Sequence, residues 1–384
     1  MQKVVTSERI PIKLWLDSME DGAFEQAKNV AHLPFAFRHV AIMPDSHQGY
    51  GMPIGGVFAA EGYIVPNAVG VDIGCGMCSL RTNLTHAEPE DLKKVMSLAR
   101  KRIPVGFNHH KEKQPLDWMP ETKGELPVTI QEFDSACHQV GTLGGGNHFI
   151  ELQKGSDGFI WIMIHSGSRN IGFTVAAHYN KKAKELNEIW YPKSSKDLAF
   201  FPADSEYFHL YKAEMDYCIQ FALSNRMLMM ERMKESIGEI FPNAEFSNFI
   251  NKPHNFASEE EHFGRNVIVH RKGATRARLG EQGMIPGSQG TSSFIVRGLG
   301  NPESFESCSH GAGRVMSRNE ARRSLDLNKE KQKLEEAGII HALRSRSDLD
   351  EAPGSYKDIN TVMELQKDLV AIETVLSPLA VIKG

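Results

Sequence analysis

The 384-residue sequence has no run of about 18 apolar residues, so it offers no membrane-spanning helix. Its opening, MQKVVTSERIPIK, lacks a continuous apolar core, and no secretory leader is expected. Cysteine is scarce: five residues, at 75, 78, 137, 218 and 308, an odd set that argues against a disulfide framework. Reduced thiols and a cytoplasmic location are the expectation. Positive charge is not in excess either. Lysine and arginine number 44 against 48 acidic residues, a net charge of -4, so any polyanionic partner must be held by a local basic patch. There is no internal repeat, no low-complexity tract, and no Gly-Lys-Ser/Thr phosphate loop. A 41% hydrophobic fraction with 24% charged residues describes an ordinary globular protein with a sizeable core.

What is abundant is histidine, 16 in all. Apolar runs such as HVAIMP (39–44), FIWIMIH (159–165) and NVIVH (266–270) end in polar residues. They predict buried strands with functional groups at their ends. Between them, Ser205 to Phe241 reads as one amphipathic helix, with Asp204 or Ser205 as N-cap and Pro242 beyond its end. Its stripe of Phe208, Tyr211, Met215, Ile219 and Ala222 is read as core packing. Residues 312–343 also read as helical. The expected fold is α+β: one domain over 1–384, mixed sheets around a metal site, and an inserted helical segment at about 174–245.

The chemistry concentrates at a few places. In GVDIGCGMC (70–78), Asp72, Cys75 and Cys78 recur every third residue among glycines that let the backbone turn. A carboxylate beside a thiolate suits a divalent transition metal. The Cys75-x-x-Cys78 spacing alone also fits a redox pair or half a structural zinc site. No second such pair completes a four-cysteine site. His148, His165 and His270 each stand beside glycine or small polar residues, the latter two at apparent strand ends. With Asp72 and a bridging Cys75 they could hold two metal ions, a recurring arrangement in phosphoryl chemistry.

In SCSHGAGR (307–314), His310 precedes two glycines and helix-forming sequence, which predicts an imidazole at a helix N-terminus, an anion site. Such a histidine can attack phosphorus and split one displacement into two. A structural N-cap, or a thiol nucleophile at Cys308, are the other readings. Gly144–Asn147 and Pro286–Thr291 could wrap phosphates. Arg169, Arg271, Lys272, Arg276, Arg278, Arg314 and Arg318 are candidates for the basic patch, although Arg276 and Arg278 also fit a solvated face.

Taken together, the motifs resemble the RtcB family of RNA ligases. The strings MPDSHQGYGMPIGG (43–56), GVDIGCGM (70–77), GGGNHFIE (144–151), HSGSRNIG (165–172) and PHNFASEE (253–260) carry the first half of the resemblance. HRKGATRA (270–277), PGSQGT (286–291), SCSHGAGR (307–314), DEAPGSYKD (350–358) and PLAVIKG (378–384) carry the second, in family order over nearly the whole chain. Ser46 in place of valine and Gln289 in place of methionine depart from the pattern and suggest a compact, divergent bacterial branch.

The resemblance implies that Asp72, Cys75, His148, His165 and His270 ligate two manganese ions, that His310 is guanylated, and that Asp45 is an active-site carboxylate. It implies guanine-nucleotide contacts from Asn147, His148, Phe149, Ile150, Glu151, His270 and Arg271. Further contacts would come from Pro286, Gly287, Ser288, Gln289, Ser293, His310, Gly311, Ala312, Gly313 and Lys383. Cys78 receives no role. GTP is the implied co-substrate. The implied partner is RNA with a 3′-phosphate or 2′,3′-cyclic phosphate and a 5′-hydroxyl, from tRNA or rRNA. A monomer off the membrane is expected, with an activating protein where one is needed. The rival readings are a dinuclear metal phosphoesterase working without GTP and an RNA-binding protein with a structural metal.

Overall fold

The run FIWIMIH becomes the strand Ile160–Ser166, every residue of which is buried. It is apolar on both faces because both are covered. Ile162 and Ile164 join Met229 and Met233 of a long helix, whereas Trp161 and Met163 pack with Leu334 and Leu343. The computed structural model describes residues 1–191 and 195–384.

Among the described residues this strand lies inside a seven-stranded sheet. The order is Phe246–Pro253, Gly76–Thr82, Ile160–Ser166, Phe149–Gly155, Val370–Lys383, Ser293–Gly298 and Gln282–Ile285. A six-stranded sheet contains Ala36–Tyr50 beside Met52–Ala60, then Arg265–Lys272 and Asn255–His262. The first of these also pairs in parallel with Ile12–Leu14. Sheets and helices together make the fold α+β, as the periodicities predict.

The long helix spans Glu206–Ile240, and the Ser205 side chain caps it by accepting from the Phe208 N–H at 3.2 Å. Phe208, Tyr211, Met215 and Ala222 are buried and Ile219 is half-buried. Part of this stripe meets Val175 and Tyr179 of the helix Arg169–Trp190. Of the expected helical segment at 174–245, residues 192–194 lie outside the described ones. Residues 312–343 form two short helices, Arg318–Ser324 and Leu327–Glu336.

The sheet positions the site through register. Gly76 pairs with Ser166, and His165 sits opposite both Met77 and Phe149. The loops that enter or leave three adjacent strands therefore meet at one end of the sheet.

Candidate metal centre and nucleotide cleft

At that end, Cys75 Sγ lies 3.4 Å from His148 Nε2 and 3.3 Å from His165 Nε2. Asp72 Oδ2 is 3.3 Å from the same His148 nitrogen. The loop bearing Asp72 and Cys75 closes on itself through a Cys75 N–H bond to the Asp72 carbonyl at 3.1 Å. Gly74, at φ +74, lies against the long helix where a side chain has no room.

The histidines are oriented from behind. His148 Nδ1 faces the Leu143 carbonyl and His165 Nδ1 faces the Asn147 carbonyl, each at 3.1 Å. Carbonyls only accept, so in His165 Nδ1 carries the proton and Nε2 offers its lone pair towards the thiol, whereas His148 Nδ1 also meets the Arg169 guanidinium, Nη1 at 3.2 Å. Burial holds both imidazoles below their ordinary pKa and pushes the Cys75 thiol well above its own. A neutral imidazole pair with a buried thiol and a carboxylate is a donor set for a divalent transition metal.

His254 completes the group. It is buried, its ring centroid is 5.1 Å from that of His165, and its backbone N–H bonds the Cys75 carbonyl at 2.8 Å. Its Nδ1 is buried without a hydrogen-bond partner among the described residues. An orphaned buried nitrogen costs free energy unless something accepts it, and a metal ion would.

His310 adjoins on the other side, 4.8 Å from His254 between ring centroids. Its Nδ1 is 2.6 Å from Asp45 Oδ2, which also accepts the backbone N–H groups of His310 at 3.0 Å and Gly311 at 3.2 Å. Burial disfavours the Asp45 charge, but the His310 imidazole and then Lys357 hold its carboxyl below the ordinary value. The expected helix N-terminus is not there. His310 follows the strand Ser307–Ser309, and the next helix starts only at Arg318. Gly313 explains this: it turns at φ +74, and a Cβ there would collide with the Asp45 carbonyl.

In front of His310 opens a cleft of about 290 Å³. Asn147, Phe149 and Glu151 line it from one side, Pro286–Gln289 from another, and His310–Gly313 with Lys383 close it. Phe149 and Glu151 face it because alternate strand residues do, whereas Ile150 points into the helix-covered core. Burial raises the Glu151 carboxyl to about 7, against the opposing charge of Lys383.

The family model described as "tRNA-splicing ligase RtcB" matches residues 26–126 and 121–384. The chain belongs to the RtcB family. The "RNA-splicing ligase RtcB" of Escherichia coli K12 is 39% identical over 409 residues, covering 100% of this chain and 99% of that one. The "tRNA-splicing ligase RtcB" of Thermococcus kodakarensis is 31% identical over 458 residues, covering 98% and 95%. A protein of the same name from Nanoarchaeum equitans is 32% identical over 443 residues, covering 95% and 92%.

Within this RtcB chain the structure sorts the expected site residues. Asp72, Cys75, His148 and His165 come together; His270 does not join them. Its Nε2 accepts the Val65 N–H at 3.0 Å, its Nδ1 faces the Ile268 carbonyl at 3.1 Å, and its ring stacks on Phe58. The strand does not end at His270 but runs on to Lys272. His254, by contrast, stands where Phe246–Pro253 hands over to Asn255–His262. That handover lies inside PHNFASEE, the string that carries His254.

Arg271 is also away from the cleft: it is fully buried and paired with Glu260, Nη2 to Oε2 at 3.0 Å. Ser293 does not line the cleft but shapes it, its hydroxyl accepting the Gly287 N–H at 3.2 Å. Most of the expected basic patch is spent internally. Arg276 pairs with Glu281, Arg278 with Glu306, and Lys272 Nζ is held by the Asn67 carbonyl at 3.0 Å. Glu351 and Tyr356 line the cleft and were not singled out, although both lie in DEAPGSYKD. Glu351 takes Lys383 at 2.8 Å and the Tyr356 hydroxyl at 2.6 Å, besides Arg314. Cys78 is buried against the Arg226 carbonyl, away from the donor cluster. No helix of the described residues is long and apolar enough to cross a membrane.

Proposed function

We propose that this protein is a GTP-dependent RNA ligase. It would join 3′-phosphate or 2′,3′-cyclic phosphate ends to 5′-hydroxyl ends through a histidine–GMP intermediate. The carrying observation is the His310–Asp45 pair. The Asp45 carboxylate accepts the hydrogen bond of the Nδ1–H, which leaves Nε2 as the nucleophilic nitrogen on the cleft, beside the donor cluster.

In this reading Cys75, His148, His165 and Asp72 hold metal together with His254, which replaces His270 in the ligand set. Two manganese ions remain the assignment the family resemblance supports, and these five residues would hold them. Bound there, the metal would polarise a phosphoryl oxygen and lower the cost of charge developing on it.

His310 Nε2 attacks the α-phosphorus of GTP, forming a P–N bond as the bond to pyrophosphate breaks. Asp45 fixes the ring and balances the imidazolium that develops. An oxygen of the RNA 3′-phosphate then displaces the histidine, giving a 3′ end capped through a pyrophosphate linkage. The 5′-hydroxyl attacks that 3′-phosphorus and GMP leaves. A cyclic phosphate is opened by hydrolysis beforehand. Phe149, Glu151 and Lys383 would take the guanosine, and the Pro286–Gln289 and His310–Gly313 loops its phosphates.

The whole chain, 1–384, is read as one catalytic domain acting as a cytoplasmic monomer on broken tRNA or rRNA, with an activating protein where one is needed. The test is incubation with manganese and α-labelled GTP, followed by denaturation. Acid-labile, alkali-stable label that is lost in His310→Ala is expected. Metal-loaded protein that stays unlabelled yet opens cyclic phosphates without GTP would establish a phosphoesterase instead.

A further inference from the structure

Past Gln289 and Lys383 a second cleft of about 270 Å³ opens, sharing Gln289, Arg318, Glu351 and Lys383 with the first. Arg100, Arg318, Arg322 and Arg344 all line it. Its side-chain carboxylates are already committed. Asp350 pairs with Arg322 at 2.9 Å, and Glu351 takes Lys383, Arg314 and Tyr356. Asp348 accepts the backbone N–H groups of Arg344 and Ser345, both at 2.8 Å. Arg100 and Arg344 are left facing the cleft with no carboxylate partner among the described residues.

Their proximity has a cost. Burial, and then the charge of Arg344, hold the Arg100 guanidinium below its usual pKa. Two like charges kept together without a side-chain counter-ion are relieved by a bound anion. The planar guanidinium fork matches the geometry of a phosphate.

We propose that this second cleft binds a phosphodiester of the RNA substrate between Arg100 and Arg344, anchoring the strand beyond the reacting end. The inference rests on the ligase reading, whose substrate it locates. His310 lines the first cleft and not the second, so a nucleotide meeting His310 does not need the second. An oligonucleotide carries a charge at every residue and does need anchoring. A chain of net charge -4 must supply that locally, and Arg271, Arg276, Arg278 and Arg314 are neutralised by their own carboxylates.

The test measures binding of a short single-stranded RNA bearing a 3′-phosphate, by fluorescence anisotropy across a salt series. It uses His310→Ala protein, so that no chemistry intervenes. Adding Arg100→Ala and Arg344→Ala should weaken binding about tenfold. The slope of log K against log salt should become shallower by roughly 0.7 for one lost phosphate contact. The pair Arg100→Lys and Arg344→Lys should recover most of that slope. If the alanine pair misfolds, Arg344→Glu alone, at an exposed position, must weaken binding at least as much. GTP labelling of His310 in protein carrying only the alanine pair is the second readout, expected within twofold of wild type.

Unchanged RNA affinity and slope would overturn the proposal. So would loss of labelling with RNA affinity intact, which would give the cleft to the triphosphate. Protein that binds RNA through the pair but never takes up GMP would remove the ligase reading and leave the cleft standing.

Discussion

Asp45 Oδ2 stands 2.6 Å from His310 Nδ1, across 265 positions of sequence, and accepts two backbone N–H groups of the same loop. Orientation and charge balance thus come from one buried atom. Asp45→Asn keeps the shape and removes the charge. It should lower the rate of His310 guanylation about 10²- to 10⁴-fold while GTP affinity stays nearly constant. Single-turnover labelling reads both, and a loss of less than threefold would mean Asp45 does not orient the ring. Because its carboxyl is held below the ordinary value, its stabilisation is complete above about pH 4 and is lost as pH falls further. Asp45 should therefore leave no inflection in labelling between pH 6 and 9.

The two rival histidines separate cleanly. His254→Ala should lose bound metal, measured by elemental analysis of dialysed protein, and abolish labelling. His270→Ala should keep its metal. It leaves the Val65 N–H unpaired and empties a fully buried stack on Phe58, a loss on the order of 2–4 kcal/mol. A lowered melting temperature with normal metal content is the expected signature. Metal lost from His270→Ala and retained in His254→Ala would reverse the ligand assignment.

Lys357 anchors the segment that carries Asp45, its Nζ donating to the Pro44 carbonyl at 3.0 Å and the Ser46 carbonyl at 2.6 Å. Lys357→Met removes both clamps and should reduce the guanylation rate about 10- to 100-fold, with the KM for GTP changed less than threefold. Lys357→Arg should restore part of the rate. An equal loss in KM, or no recovery with arginine, would point to general destabilisation.

Local sequence carries some of this and not the rest. The helix Glu206–Ile240 and the strand Ile160–Ser166 are readable because a serine cap, a three-and-four stripe and an apolar run are local signals. Cys75, His148 and His165 are readable because glycines crowd around them. His254 and His270 are not separable that way, since both are buried histidines beside apolar residues. Their strands are paired neighbours, Ala257 opposite His270, and only three-dimensional register decides which imidazole reaches the cluster. The helix expected after His310 failed for a related reason. The conformation of Gly313 is dictated by packing against Asp45, far away in sequence.

Glu151 offers a test on stability instead of catalysis. It is 2% exposed, and burial raises its carboxyl from 4.5 to about 7 although Lys383 opposes the rise. The folded protein therefore holds this proton more tightly than the unfolded chain. Stability from this group is greatest below pH 4.5, falls as pH rises through the interval to about 7, and is flat above it. The whole effect is on the order of 3 kcal/mol. Glu151→Gln keeps the shape and the contact with Gln153 but cannot ionise. In the nucleotide-free protein it should raise the melting temperature at pH 8 and leave it nearly unchanged at pH 5. The same substitution should weaken GTP binding, because a carboxylate freed of its proton can accept from guanine N–H groups more strongly than an amide can. A variant that melts like wild type at both pH values would mean the buried charge is already balanced by Lys383.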